Sequence, residues 1–120
     1  MSEREWKLFL KDIEKSIARI INYTKDIDKE KFLYDDKTFD AVMRNLEIIG
    51  EAVKHFPTEI RKKYGKIAWK KIAGLRDIVI HEYFGIDSDI IWDVVHKKIP
   101  GLKPEIEKII EDVFEKAGKM

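Results

Sequence analysis

The 120-residue sequence contains no cysteine, which removes disulfide frameworks, thiolate metal sites and cysteine nucleophiles from consideration. It also lacks glutamine, has only three prolines and six glycines, and holds no apolar run long enough to span a bilayer. Its first residues, Met1-Ser2-Glu3-Arg4-Glu5-Trp6, lack the basic and then apolar layout of a signal peptide, so a cytoplasmic protein with no membrane partner is expected. An excess of one charge is missing too. The 24 basic and 23 acidic side chains leave a net charge of +1, so any nucleic-acid binding must use a local patch. No segment alternates in the manner of a strand, and there is no internal repeat, glycine-rich phosphate loop or serine-elbow motif.

What is present is an apolar share of 44%, enough for a core in one domain spanning residues 1–120. The 39% charged content, rich in Lys and Glu, points to a thermophilic source. Trp6, Phe9, Leu10, Ile13, Ile17, Ile20 and Ile21 recur at steps of three and four, which predicts an amphipathic helix over 5–23. The polar stretch from Asp26 to Tyr34 reads as a connection. Asp35 or Asp36 then caps a second helix that runs to about Phe56 and stops at Pro57. Its broad apolar arc, centred on Val42, Leu46, Ile49, Val53 and Phe56, suits a helix packed on two sides. Asn45 falls inside that arc and needs a buried partner, while Gly50 in mid-helix permits close approach of a neighbour.

After a short element between Pro57 and Gly65, a third helix is expected from Ile67 to His81 or Glu82, broken by Gly85. Asp87 or Ser88 caps the next helix at Ile90. The region 89–117 is helical in period but interrupted near Pro100, Gly101 and Pro104, as two helices or one kinked helix. The fold class is therefore all-α, a bundle with short loops.

The third helix carries the chemistry. Ala68, Trp69, Ile72, Leu75, Val79 and Ile80 form its apolar arc, and Arg76 projects into the middle of that arc. A buried guanidinium requires a carboxylate or phosphate. If the partner is a bundle carboxylate such as Glu51 or Glu47, Arg76→Ala strands it at a cost of ~3–5 kcal/mol. Lys70, Gly74, Asp77 and His81 form a separate stripe, on which Asp77 can orient the His81 imidazole for acid–base work. Tyr83 stands seven residues after Arg76. Each residue also has a plain structural role available: a surface hydrogen bond for Asp77 and His81, a bundle ion pair for Arg76, packing for Tyr83. Arg76 and His81 stand about 140° apart on an ideal helix, so a single copy cannot aim both at one point. A twofold dimer or a distorted helix would remove that conflict.

Arg61, Lys62, Lys63, Lys66, Lys70 and Lys71 form a basic run with Tyr64 and Trp69 interleaved and no acidic residue before Asp77. Lys63, Lys66, Lys70 and Lys71 are the candidates for RNA-backbone contact, with a solvated surface as the plain alternative. His55 and His96 have no metal-ligand spacing with His81.

The string Arg76-x4-His81-x-Tyr83 resembles the motif of the HepT family within the HEPN superfamily. Arg44-Asn45-Leu46-Glu47-Ile48-Ile49-Gly50-Glu51-Ala52 is similar to that family's second-helix signature. The stretches 69–76 and 81–87 are similar to its third helix and the turn after it. The resemblance implies an antiparallel bundle of four to five helices and a homodimer with two copies of the motif facing one cleft. It implies a metal-independent endoribonuclease, without cofactor, in which Arg76 stabilises the scissile phosphate, His81 acts as base or acid and Asp77 orients the site. It further implies a type VII-like toxin–antitoxin pair, whose nucleotidyltransferase antitoxin modifies Tyr83 with AMP. The alternative is a non-catalytic homodimeric module that binds a nucleotide or such a transferase.

Overall fold

The computed structural model describes residues 3–83 and 87–115; the side chains of residues 3, 4, 81–83 and 115 lie outside the description. Among the described residues the chain is all-α, with no strand. Helix α1 (Glu3–Thr24) buries Trp6, Leu10, Ile13, Ile17 and Ile20, the stripe that the sequence period marks out. It packs along α3 (Asp36–Val53), which starts where Asp35 accepts from the Thr38 backbone N–H at 3.1 Å. The second helix ends at Val53, three residues before the expected stop at Phe56, and turns carry the chain on to Pro57.

The stretch 26–34 is more than a connection. It contains α2 (Lys29–Tyr34), capped by the Asp28 carboxylate and anchored by Phe32, which is 0% exposed. One fully buried ring in six residues, with Leu33 only partly buried beside it, leaves too little periodicity to announce a helix in the sequence.

The third helix also departs from expectation. It is two helices, α5 (Trp69–Ala73) and α6 (Leu75–Tyr83), separated by Gly74 with φ −76° and ψ −3°. That ψ departs from the helical value near −42°, and the carbonyl of Gly74 accepts from both Asp77 and Ile78. Before them, α4 (Thr58–Lys63) ties three elements together. Arg61 Nη2 donates to the Val53 carbonyl at 2.8 Å, satisfying the end of α3. Trp69 Nε1 donates to the carbonyls of Tyr64 and Arg61 at 3.1 and 3.2 Å. Arg61 is thus engaged in the fold, and the basic run has one fewer cation for a ligand than its sequence advertises.

The C-terminal region is one helical run rather than two separate helices. Asp87 caps α7 (Ser88–Asp93), and a π-helical turn over Val94–Lys98 leads into α8 (Ile99–Ile110) and a second π-helical turn over Glu111–Glu115. Pro100 has no N–H to give and its ring cannot sit against the carbonyl of His96. Widening the turn just before it absorbs that conflict, so the chain slips register instead of breaking. Pro104 stands inside α8.

The core joins these elements through Trp6, Phe56 and Trp69, whose rings meet edge-on or tilted at 5.4 Å in each pair. Asn45 is buried as expected; its Nδ2 donates to the Ala41 carbonyl at 2.8 Å, and its Oδ1 has no partner among the described residues.

Tyr64 links this assembly to the C-terminal turn by donating to Asp112 Oδ2 at 2.7 Å. Burial first, then this hydrogen bond and the neighbouring negative charge, push its hydroxyl from 10.0 up to about 12. The folded chain therefore favours the neutral phenol. Its contribution is complete below about pH 10 and is lost as the pH climbs toward about 12. Thermal melting measured across this window is expected to fall more steeply for the wild type than for Tyr64→Phe. Parallel curves would contradict the shift.

Candidate active site

The site begins with a glycine. A Cβ on Gly50 would stand 3.1 Å from the backbone nitrogen of Arg76 and 3.4 Å from the carbonyl oxygens of Ile72 and Ala73. A side chain here would press that backbone back by a few tenths of an ångström, so glycine suits the close meeting of α3 with the α5–α6 junction. The close approach expected at Gly50 is thus present, and what it touches is the backbone of the motif arginine.

Arg76 itself is not buried. Its side chain is 50% exposed, against the expectation from a wheel drawn through one unbroken helix. The interruption at Gly74 shifts the phase two residues before Arg76, so the arc calculated from Trp69 no longer applies beyond it. Ile80 moves the same way, at 42% exposed, whereas Leu75 and Val79 stay in the core. The partner named as a candidate from sequence is found: Arg76 Nη1 donates to Glu51 Oε1 at 3.0 Å. Lys54 Nζ donates to the same oxygen at 3.3 Å, a neighbour the sequence reading missed although its i,i+3 spacing to Glu51 was visible. The hydrogen bond from Lys54 first, and the charges of Lys54 and Arg76 against the opposing effect of burial, hold the Glu51 carboxyl below its ordinary range. The ~3–5 kcal/mol penalty expected for a stranded buried partner does not apply to a pair this exposed.

Asp77 is exposed on α6. The backbone of α6 runs through positions 81 and 83, but the side chains of His81 and Tyr83 lie outside the described residues. Positions 77 and 81 share a face of the helix and positions 76 and 81 diverge by about 140°. The break at Gly74 does not ease that divergence, because both positions come after it.

Lys63, Lys66, Lys70 and Lys71 are all exposed, on α4, on α5 and in the segment between them. The other two histidines are stacked on aromatic rings: His55 on Phe9 with centroids 4.0 Å apart, and His96 on Trp92 at 5.2 Å. A groove of about 460 Å³ lies between α5–α6 and α8, lined by Ile72, Leu75, Ile78, Ile99 and Leu102 with Lys71 at its edge. Neither Arg76 nor Asp77 faces it. The site is an open surface at the α3–α6 contact, apart from that groove.

A family model described as Ribonuclease HepT-like matches residues 13–109. The chain is 48% identical over 116 residues to a protein of Methanocaldococcus jannaschii named "Putative RNase", covering 97% of this chain and 100% of that one. A protein of Caldanaerobacter subterraneus with the same kind of name is 44% identical over 103 residues, covering 86% of this chain and 92% of its own. A "Probable ribonuclease HepT" of Thermococcus cleftensis is 43% identical over 107 residues, covering 89% and 97%. No solved structure matches the chain.

Proposed function

The chain belongs to the HepT-like ribonuclease family, and from that premise we propose that it is a metal-independent endoribonuclease acting through Arg76, Asp77 and His81. The observation that carries the reading is the placement of Arg76. A guanidinium held at the surface by one carboxylate contact keeps other N–H donors for a phosphate. The α3 contact at Gly50 fixes the backbone from which it projects.

In this reaction a ribose 2′-hydroxyl loses its proton to a base as its oxygen attacks the adjacent phosphorus. The bond to the 5′-oxygen breaks, and that oxygen takes up a proton. A 2′,3′-cyclic phosphate and a 5′-hydroxyl result. His81 moves the proton, Asp77 on the same helix face orients it, and Arg76 stabilises the charge growing on the phosphate oxygens. Lys63, Lys66, Lys70 and Lys71 hold the RNA backbone, a contact that weakens with salt. The divergence of positions 76 and 81 on α6 supports a twofold homodimer, in which two motif copies share one cleft.

On the same reading the chain is the toxin of a type VII-like pair. Its antitoxin, a nucleotidyltransferase, transfers AMP from ATP to the Tyr83 hydroxyl with release of pyrophosphate. The added anion competes with RNA phosphate for Arg76.

RNA cleavage by the purified chain in EDTA, with cyclic-phosphate and 5′-hydroxyl ends, is the test. No cleavage by a chain whose intact mass shows it unmodified would overturn the reading. Arg76→Ala is expected to lower the rate by about 100-fold or more, the effect of removing one donor to a developing oxyanion. Because exposed ion pairs contribute little to stability, its melting temperature should stay near that of the wild type. A large drop in melting temperature would return Arg76 to a role in the fold.

A further inference from the structure

Arg76 is tied to a carboxylate that the reaction itself does not use. Glu51 comes directly after Gly50 on α3, so the residue that admits the backbone of Arg76 and the residue that grips its guanidinium are neighbours in sequence. If Glu51 merely neutralised Arg76, the pair would be a poor place to receive a phosphate. The third member of the cluster argues otherwise. Lys54, the C-cap residue that follows α3, donates to the same Oε1 that Arg76 uses. One carboxylate between two cations leaves the group with a net charge of +1. The anion-attracting character of the site survives, and the geometry of Arg76 is restrained.

We propose that Glu51 is the positioning residue for Arg76, supported from behind by Lys54, so that the arginine meets the scissile phosphate in one preset orientation. This rests on the nuclease reading above. A free arginine side chain samples many rotamers, and ordering it at the moment of reaction costs entropy. A single Nη1 contact to Glu51 restrains the planar fork, and the half-exposed side chain keeps further donors for a ligand. Lys54 holds the carboxylate in turn, so the restraint begins on the same helix that packs against α6. Groups that position a reacting residue act through geometry, and a misplacement on the order of 1 Å can cost about 100-fold in rate.

The test compares wild type, Glu51→Ala and Glu51→Gln in steady-state RNA cleavage, with thermal melting and nitrogen-15 NMR of the arginine guanidinium groups, the Arg76 signal being assigned by its loss in Arg76→Lys. In Glu51→Ala, kcat should fall about 100-fold. KM should stay level or drop, since a negative charge has left the surface, and melting should be unchanged. Glu51→Gln keeps an oxygen acceptor and should recover at least about a tenth of the wild-type rate, the rescue that a positioning role demands. The Arg76 guanidinium should rotate slowly in the wild type and freely in Glu51→Ala. Unchanged or increased cleavage in Glu51→Ala overturns the proposal and makes Glu51 a bystander or a competitor of phosphate. Free rotation in the wild type overturns it as well. Absence of cleavage by the wild type is seen before any Glu51 variant is compared; it sinks the nuclease reading, and the role of Glu51 with it.

Discussion

His81→Ala is expected to abolish measurable RNA cleavage while the chain still folds. Acid–base catalysis by a positioned side chain contributes about 100- to 10,000-fold, and no other imidazole stands ready to replace it. His55 and His96 are stacked against Phe9 and Trp92 on α1 and α7, outside the Arg76 helix. Alanine is the best helix former, so α6 should persist through position 81 and the contact of Gly50 with the backbone of Arg76 should remain. The measurement is cleavage of a defined RNA in EDTA by wild type and variant, with circular dichroism to confirm helicity. Cleavage by His81→Ala at the wild-type rate would remove His81 from the mechanism. Loss of cleavage together with loss of helicity would show that position 81 serves the fold.

The parts of the molecule that were legible in the sequence are those governed by long periodicity. Helix α1 buries the residues its spacing selects, and α3 begins at the Asp35 cap and packs on two sides. The chemistry of the motif was legible as residue types: a cation, a carboxylate, an imidazole and a phenol in one short segment. The geometry was not. A helical wheel assumes one phase, and Gly74 resets it two residues before Arg76, so the arginine placed in the core stands at the surface. Between the two readings left open around Pro100 and Pro104, two helices or one kinked helix, the structure has one helical run, with a π-helical turn just before Pro100 and Pro104 inside α8. The basic run was visible as charge, but the service of Arg61 to the end of α3 depends on the approach of α4. For Arg76 and Arg61 the error came from tertiary contact or backbone register, which a single sequence does not encode locally.

The largest effect on stability is expected far from the site, at the short helix that sequence periodicity missed. Phe32 is 0% exposed, and its ring meets Phe39 at 5.3 Å and Trp92 at 5.5 Å, joining α2 to α3 and α7. Removing a buried phenylalanine side chain costs about 3–5 kcal/mol, because apolar contact is lost and the surrounding helices close the void only in part. For a chain of this length that corresponds to a melting temperature about 10–20 °C lower. Two neighbours on α2 supply the contrast. Tyr34 is 82% exposed, so Tyr34→Ala should change melting little. Lys29 pairs with Asp89 across to α7, but both side chains are largely solvated, and Lys29→Ala should also be mild. The attachment of α2 therefore depends on one ring packed against two others, not on the ion pair or on local helix propensity. Six residues with one buried anchor form a helix because α3 and α7 provide the surface on which it folds. Thermal melting of Phe32→Ala, Tyr34→Ala and Lys29→Ala side by side tests this. Equal small shifts in all three would reduce residues 29–34 to the plain connection their polarity implies, and a dominant loss in Phe32→Ala alone would make α2 part of the core.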